Sequence, residues 1–449
     1  MKKALVILSL FCVAFWTQGQ NNLLFFNFEH VNQNLLVNPS NPHPYRFVIG
    51  MPGVSGVSMH FRNTFFKAGD VLNDNTGNEN LENVIRNMSG SERLSFYESA
   101  DLIYAGFGIK SGYVSFGIQQ EANLTTLLPA QLFQFLYFGN EDAENQNIFF
   151  TKDDFDIEAT IQINYHVGYQ HWLLDSTLIV GGRFKYISGT ANARFSKFNM
   201  GLQSDFFEWN INTDITLETS GYDYIDDFGN FNPIEQINSG NPGFGVDLGA
   251  TYLLPKMKIS AAVLNMGKIT WNKRLKHYQS QGDFTYDGIE LDPEDPDFDF
   301  DPILDSLEEA LGFKEITPYS YSSKLPARYM FSYEYQVHPK HAFGVTYQGT
   351  NWNGKFYNNF GVNYVGRWHK RINFILGYGR LAGGLNNFGA GISAALGPIQ
   401  LYLMSDNIWG VVKPAELSAT NFRIGLNLVF FDLKPKEPKE EELKNPISE

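Results

Sequence analysis

One cysteine stands among the 449 residues, Cys12, inside a stretch expected to be removed, so the mature chain is left without disulfide or thiol chemistry. Charge is sparse too: only 18% of residues are Asp, Glu, Lys or Arg, and no basic stripe of the kind that tracks nucleic acid occurs. No run beyond the N-terminus approaches the roughly 18 consecutive apolar residues of a membrane helix. The nine histidines show no HExxH or comparable metal spacing, and there is neither a GxSxG elbow nor a phosphate-binding P-loop. His166 and His171 fall on opposite faces of any strand that carries both. No short repeat points to a solenoid or propeller. These absences argue against an enzyme, a resident cofactor and a nucleic-acid partner.

What the chain has in quantity is aromatic side chain. Its 39 Phe and 23 Tyr carry most of a 15% aromatic share, and without a spanning helix this leaves a large soluble β fold or a membrane barrel. Residues 1–19 read as a secretory signal. Lys2 and Lys3 give the positive end, Ala4 to Trp16 the apolar run, and small residues near Thr17 and Gly19 precede cleavage before Gln20. Acylation at Cys12 is disfavoured, because Phe11 stands where a small residue is needed.

Strand periodicity decides between the two β readings. From Phe155 to Gln170, Phe155, Ile157, Ala159, Ile161, Ile163, Tyr165, Val167 and Tyr169 alternate with Asp156, Glu158, Thr160, Gln162, Asn164, His166, Gly168 and Gln170. Phe422 to Phe430, Tyr329 to Gln336 and Phe360 to Trp368 repeat the pattern. Strands of soluble sheets are commonly about five or six residues long. Runs of nine or more suit tilted strands with one face to lipid and one to a polar lumen. Trp271, Trp352, Trp368 and Trp409 near strand ends suit interfacial girdles. The expected fold is therefore all-β: a transmembrane antiparallel β-barrel of about 14 strands, between about 12 and 16, over residues 46–431. Its location is the cell outer membrane, with outer-membrane lipid as its first partner. Candidate segments outnumber about 14, and the weak ones before residue 65 are candidates for plug or turn. Glu158, Arg183, Lys185 and Arg423 fall on polar faces and are the lumen-facing candidates that would set selectivity in a pore.

Residues 20–45, with Asn38-Pro39 between polar turns, are too broken for wall strands and are read as a plug or periplasmic strap. Leu254-Pro255-Lys256 and His338-Pro339-Lys340 are tight connections, while 65–99, 121–150, 189–206 and 273–313 are long and are not all given a side. The last of these is an acidic insert. Asp283, Asp287, Glu290, Asp292, Glu294, Asp295, Asp297, Asp299, Asp301, Asp305, Glu308 and Glu309 supply nearly all of the net charge of -14. Asp297, Asp299, Asp301 and Glu308 approach the spacing of an EF-hand calcium loop, but Pro302 occupies the position where that turn needs Gly. Calcium there is the one ion candidate. Residues 432–449, rich in Pro, Lys and Glu, are expected to be a disordered periplasmic tail.

The segment Asn34-Leu-Leu-Val-Asn-Pro-Ser40, followed by Phe47-Val-Ile-Gly-Met-Pro-Gly-Val-Ser55, resembles the opening of a family of uncharacterised outer-membrane barrels from Bacteroidota. Ala262-Val-Leu-Asn-Met-Gly-Lys-Ile-Thr-Trp271 and Phe284-Thr-Tyr-Asp-Gly-Ile289 resemble later stretches of the same family. More distantly, Asn38-Pro39 and Leu325-Pro-Ala-Arg328 resemble the FadL-type fatty-acid channels, which implies a fourteen-stranded barrel with an N-terminal plug. The acidic insert departs from that type, and no fatty-acid site maps onto this chain. Two functions follow as expectations. One is a FadL-like conduit for small hydrophobic molecules, with a plugged lumen, an apolar pocket and a lateral opening. The other is a structural or assembly component bound to an envelope protein partner, with a filled lumen.

Overall fold

The computed structural model describes residues 22–64, 67, 77–138, 147–204, 209–221, 240–286, 311–352, 354–369, 371–380, 386–408 and 418–432. Alternating runs form strands because a pleated backbone sends successive side chains to opposite faces. In chain order they are β1 Tyr45–Gly50, β2 Val57–Asn63, β3 Ser91–Ile109, β4 Gly112–Pro129, β5 Asn147–Thr151, β6 Asp156–Leu173 and β7 Leu178–Lys197. Next come β8 Asn199–Ser204, β9 Trp209–Ser220, β10 Asn241–Leu253, β11 Met257–Trp271, β12 Leu275–Tyr286, β13 Lys314–Ile316 and β14 Tyr321–Lys324. The last are β15 Ala327–His338, β16 His341–Trp352, β17 Lys355–His369, β18 Ile372–Arg380, β19 Asn386–Leu396, β20 Ile399–Ser405 and β21 Ala419–Asp432.

Antiparallel ladders join these strands into a closed barrel of 14 wall positions. The circuit runs from β1 and β2 through β3, β4, β6, β7, β10 and β11 to β14 and β15. It continues through β16, β17, β18, β19 and β20 to β21, which returns to β1 and β2. Two wall positions are broken strands. Leu325-Pro326 separates β14 from β15, where proline has no N–H for a ladder. Pro52 and Gly53, the latter at φ 73°, fold residues 51–56 into a loop between β1 and β2. The segments before residue 65, candidates for plug or turn in the sequence, are thus wall strands. Their weak alternation reflects this break.

Every connection at one rim is short: 110–111, 174–177, 254–256, 339–340, 370–371 and 397–398. Tyr45 pairs with Asp432 at that same rim. The strand ends at the opposite rim are separated by longer stretches of sequence between β2 and β3, β4 and β6, β7 and β10, β11 and β14, and β20 and β21, while β16 and β17 are joined there by a two-residue connection. The long connections therefore all begin and end on one side. Much of 91–99, 121–129 and 189–197, read as loop from the sequence, extends β3, β4 and β7 beyond the apolar band. There β7 leaves the barrel circuit to pair with β9, and β9 joins β12 and β8, which carry β13 and β5. This upper sheet has its own core of Phe150, Phe198, Leu202, Trp209 and Ile211, on which Phe135 of the helix Ala130–Phe138 packs, its ring centroid 4.1 Å from that of Trp209.

The barrel inverts the usual burial pattern. Phe343, Val345, Phe360, Val362 and Leu401 point outward and are about half exposed, whereas Asp247, Thr251, Ser332, Gln348 and Asn427 point inward and are fully buried. Trp368 lies on the outer surface, 72% exposed. Trp271 and Trp352 do not form a girdle with it: both turn inward and are buried, with Trp271 Nε1 donating to Ser323 Oγ at 2.8 Å. A bulge between Val246 and Leu248, opposite Val263 to Met266, reverses the parity of upper β11 and brings Trp271 inside. Trp409 lies outside the described residues, as do the signal segment 1–19, the tail beyond 432 and most of the acidic insert. An outward charge at mid-wall is expected to be costly. Val362→Arg should lower unfolding stability in lipid vesicles by about 2–4 kcal/mol, and Ile399→Arg beside a short turn by about 0–1 kcal/mol. Equal losses at the two sites, measured by denaturant titration, would contradict this depth assignment.

Candidate functional site

Residues 22–44 contain no strand. Two turns of 3-10 helix, Phe25–Asn27 and Asn32–Leu36, fold the segment into the space enclosed by the wall. Its apolar side chains explain why it stays there. Phe25, Phe26, Phe28 and Val31 are fully buried and pack with Leu264, Met330, Val365, Ile375 and Tyr402 of the inner wall. Burying a Phe or Val contributes about 1.5–3 kcal/mol, so this cluster binds the segment as a core binds a helix.

Its polar groups meet the polar inner face one by one. Asn27 Nδ2 donates to Thr346 Oγ1 at 2.7 Å and to Asn363 Oδ1 at 3.0 Å, while Ser332 Oγ donates to Asn27 Oδ1 at 2.7 Å. Gln33 and Asn427 exchange amide bonds of 2.6 and 2.9 Å. Tyr104 OH donates to Asn32 Oδ1 at 2.5 Å, and the Asn22 N–H donates to Gln348 Oε1 at 3.2 Å. Asn38 accepts from the Ser40 N–H and Oγ at 3.1 and 2.8 Å, an Asx-type turn that aims Pro39 at β7. The wall makes room there with Gly181, where a Cβ would stand 1.9 Å from the Pro39 carbonyl oxygen.

Charges cluster where the segment meets the wall. Arg183 and Lys185 share Asp247, at 2.5 and 3.0 Å, and the Asn265 N–H donates to the same carboxylate at 2.6 Å. Arg183 also donates to the Leu36 carbonyl at 2.7 Å. Arg423 donates to Asn22 Oδ1 at 3.0 Å, with its guanidinium 3.9 Å from the Phe25 ring centroid. Glu158 sits nearer the long-loop rim and accepts from Trp352 Nε1 at 3.1 Å. All four lumen candidates thus face inward, and Arg183 and Lys185 come together on one carboxylate. Asn38 and Pro39 lie on the enclosed segment. Asp297, Asp299, Asp301 and Glu308 lie outside the described residues.

A second cluster escaped the sequence reading. Glu29 pairs with Lys258 and lies 3.6 Å from Arg367, and Glu334 lies 3.6 Å from Lys258 and 3.3 Å from Arg367. Glu334 and Arg367 do occupy polar positions of alternating runs; what the sequence does not show is that β11, β15 and β17 bring them to one point. At the long-loop rim lies a vestibule of about 310 Å³ lined by Lys152, Asp153, Asp156, Lys197, Trp352 and Lys355. Two voids beside the segment are far smaller, about 10 Å³ each, one next to Leu23–Leu24 and one next to Leu35–Pro39. That is the lower limit for one water.

One seam in the wall is incompletely laddered. β2 pairs with β21 from Val57 to Arg62, but among the described residues it pairs with β3 only at Asn63↔Leu94. β1 meets β3 at Phe47 to Ile49, and two bonds through Asp101 bridge the loop: Gly53 N–H to Asp101 O at 3.1 Å and Asp101 N–H to Gly56 O at 3.2 Å. Ser58, His60 and Arg62 on one side and Ser95, Tyr97 and Ser99 on the other point inward along the seam, and the His60 and Tyr97 rings lie 5.5 Å apart.

Burial pushes the Glu29 carboxyl up, but Lys258 and Arg367 overcome this and hold it down at about 2. A depressed carboxylate stabilises the folded form above its unfolded value of 4.5, and that contribution is lost as pH falls towards 2. Hydrogen exchange of residues 22–44 should therefore stay slow at pH 5 and accelerate, relative to the wall strands, as pH drops below 4.5. Glu29→Gln should weaken the segment's attachment by about 1.5–3 kcal/mol at neutral pH and flatten that pH dependence. An unchanged pH profile in this variant would show that the cluster does not hold the segment.

No curated protein matches the chain. Among solved structures, the Ralstonia pickettii toluene transporter TbuX is similar with 11% identity and a TM-score of 0.47, covering 93% of this chain and 100% of that one. The P. putida toluene transporter TodX gives 9% and 0.45, covering 92% and 99%. A Pseudomonas aeruginosa FadL homologue gives 9% and 0.44, covering 92% and 98%. Likeness at this level does not extend to what the barrels carry. Residues 39–406 match a family of unknown function, DUF5723, and over that span, most of its length, the chain belongs to this family.

Proposed function

We propose that this protein is a non-enzymatic outer-membrane barrel that passes small hydrophobic molecules sideways, from the vestibule through the β2–β3 seam into the bilayer. The observation that carries the reading is the single register pair between β2 and β3, beside an axial route occupied by residues 22–44. A hydrophobic solute entering at the long-loop rim meets a packed segment below it. The wall strands with the fewest mutual ladder bonds stand beside that path. Tyr97 and His60 offer ring faces there, and Phe61 and Phe96 follow outside. In this reading residues 22–44 act as a plug that leaves the lateral exit as the route of least disruption.

A second reading, a structural or assembly component of an envelope complex, is favoured by the close fit of the segment at two places, where the voids beside it are only about 10 Å³ each. Native mass spectrometry of the gently extracted protein separates the two. A lone barrel with a lipid-sized or smaller ligand supports the conduit, and a stoichiometric protein partner without such a ligand supports assembly. The conduit is tested at the seam itself. Continuing the Asn63↔Leu94 register sets Phe61 opposite Phe96. In a mature chain without cysteine, Phe61→Cys with Phe96→Cys should form a disulfide that slows uptake of the dye N-phenylnaphthylamine severalfold, and reduction should restore it. Uptake that ignores the cross-link would overturn the lateral route.

A further inference from the structure

The outer wall is not uniform. Between β15 and β19 it holds a groove of about 560 Å³, lined almost wholly by apolar atoms, with Val345 and Val362 within it and Tyr335, Phe343, Tyr364 and Tyr378 around it. The groove runs towards the short-turn rim, and its polar end is built there. Tyr364 OH and His341 Nδ1 are 2.6 Å apart, the His341 ring stacks on Tyr364 at 5.9 Å, and His338 lies 5.4 Å from His341. Exposed Lys340 and Arg371 occupy the turns that join β15 to β16 and β17 to β18, the strands forming the groove. Trp368, on β17, marks the interfacial level beside them.

Charge says what fits. The described residues of the short-turn connections include exposed Lys110, Lys256, Lys340 and Arg371 against one exposed carboxylate, Asp175. In the sequence, the excess acid of a chain with net charge -14 is concentrated between Asp283 and Glu309 and not in these turns. We propose that the β15–β19 face is a specific site for one anionic phospholipid of the leaflet next to the short-turn rim. An acyl chain lies in the groove, and the phosphate lies against Lys340, His341 and Arg371. A groove flanked by aromatic rings receives a flexible chain with little loss of wall packing, and each Lys or Arg near an anionic headgroup strengthens its retention. This site is independent of the lateral route, because β2 and β3 lie elsewhere in the wall circuit.

The test is lipid titration of the detergent-solubilised full chain, followed by native mass spectrometry. Phosphatidylglycerol should be retained at one per barrel in preference to phosphatidylcholine. Lys340→Glu with Arg371→Glu should weaken phosphatidylglycerol retention about tenfold or more. Val345→Trp, which fills the groove without touching the turns, should reduce retention of both lipids. Heat-modifiable gel migration confirms that each variant keeps its barrel. Lys110→Glu with Lys256→Glu places equal charge changes at turns away from the groove and should leave retention unchanged. Three results would overturn the site: equal retention of the two lipids, an equal loss in the distant-turn variant, or a second protein chain found on this face in place of lipid.

Discussion

A peptide group placed in hydrocarbon has no water to bond, and leaving it unpaired costs several kcal/mol. That constraint orders everything else in this molecule. It requires a ladder that closes on itself, and β21 supplies the closure by pairing with both β1 and β2. It also inverts the packing, because the wall's outer face must be apolar while its inner face inherits the polar half of each alternating strand. Only where the wall rises above the apolar band do strands such as β8, β9 and β12 fold as soluble sheets do, over a core of their own. A ladder left incomplete within the wall is then a local weakness, and the β2–β3 seam is where the described residues show one.

Closing the wall creates a second problem, since fourteen polar inner faces cannot pack against one another across an empty space. Residues 22–44 solve it by offering both kinds of surface at once. Phe25, Phe26 and Phe28 supply apolar bulk at the centre, and Asn27, Asn32 and Gln33 supply amides that match Ser332, Thr346, Tyr104 and Asn427 on the wall. A segment that only filled space would leave those wall groups unpaired, and a segment that only bonded would lack the apolar burial that opposes its release. The Glu29 pairs with Lys258 and Arg367 add a contact that responds to pH and not to packing.

Much of this was legible in the chain because membrane strands write their two faces as a period of two. The Phe155 to Gln170 run gives β6 nearly residue for residue, and the Phe422 to Phe430 run gives β21. Inward placement of Glu158, Arg183, Lys185 and Arg423 follows from the same parity. What escaped depends on bonds that parity does not encode. Strands β5, β8 and β12 lie above the hydrocarbon, where no lipid face imposes alternation. Trp271 turns inward because a bulge resets the parity of β11, and a bulge has no mark in composition. Lys258, Glu334 and Arg367 lie on separate strands and become one cluster only when Glu29 enters among them.

The same logic separates the two faces of the wall as places for ligands. Inside, residues 22–44 bond to Tyr104, Ser332, Thr346, Gln348 and Asn363 of the wall, so a molecule taking the axial route has to compete with bonds of 2.5 to 3.2 Å that are in place. At the β2–β3 seam, by contrast, the described residues show a single register pair, Asn63↔Leu94. Outside, the β15–β19 groove offers apolar walls that compete only with bulk lipid, and its selectivity has to come from its ends. The short-turn rim, with Lys340 and Arg371 exposed beside His341, is the end that carries charge, and so it decides which headgroup stays.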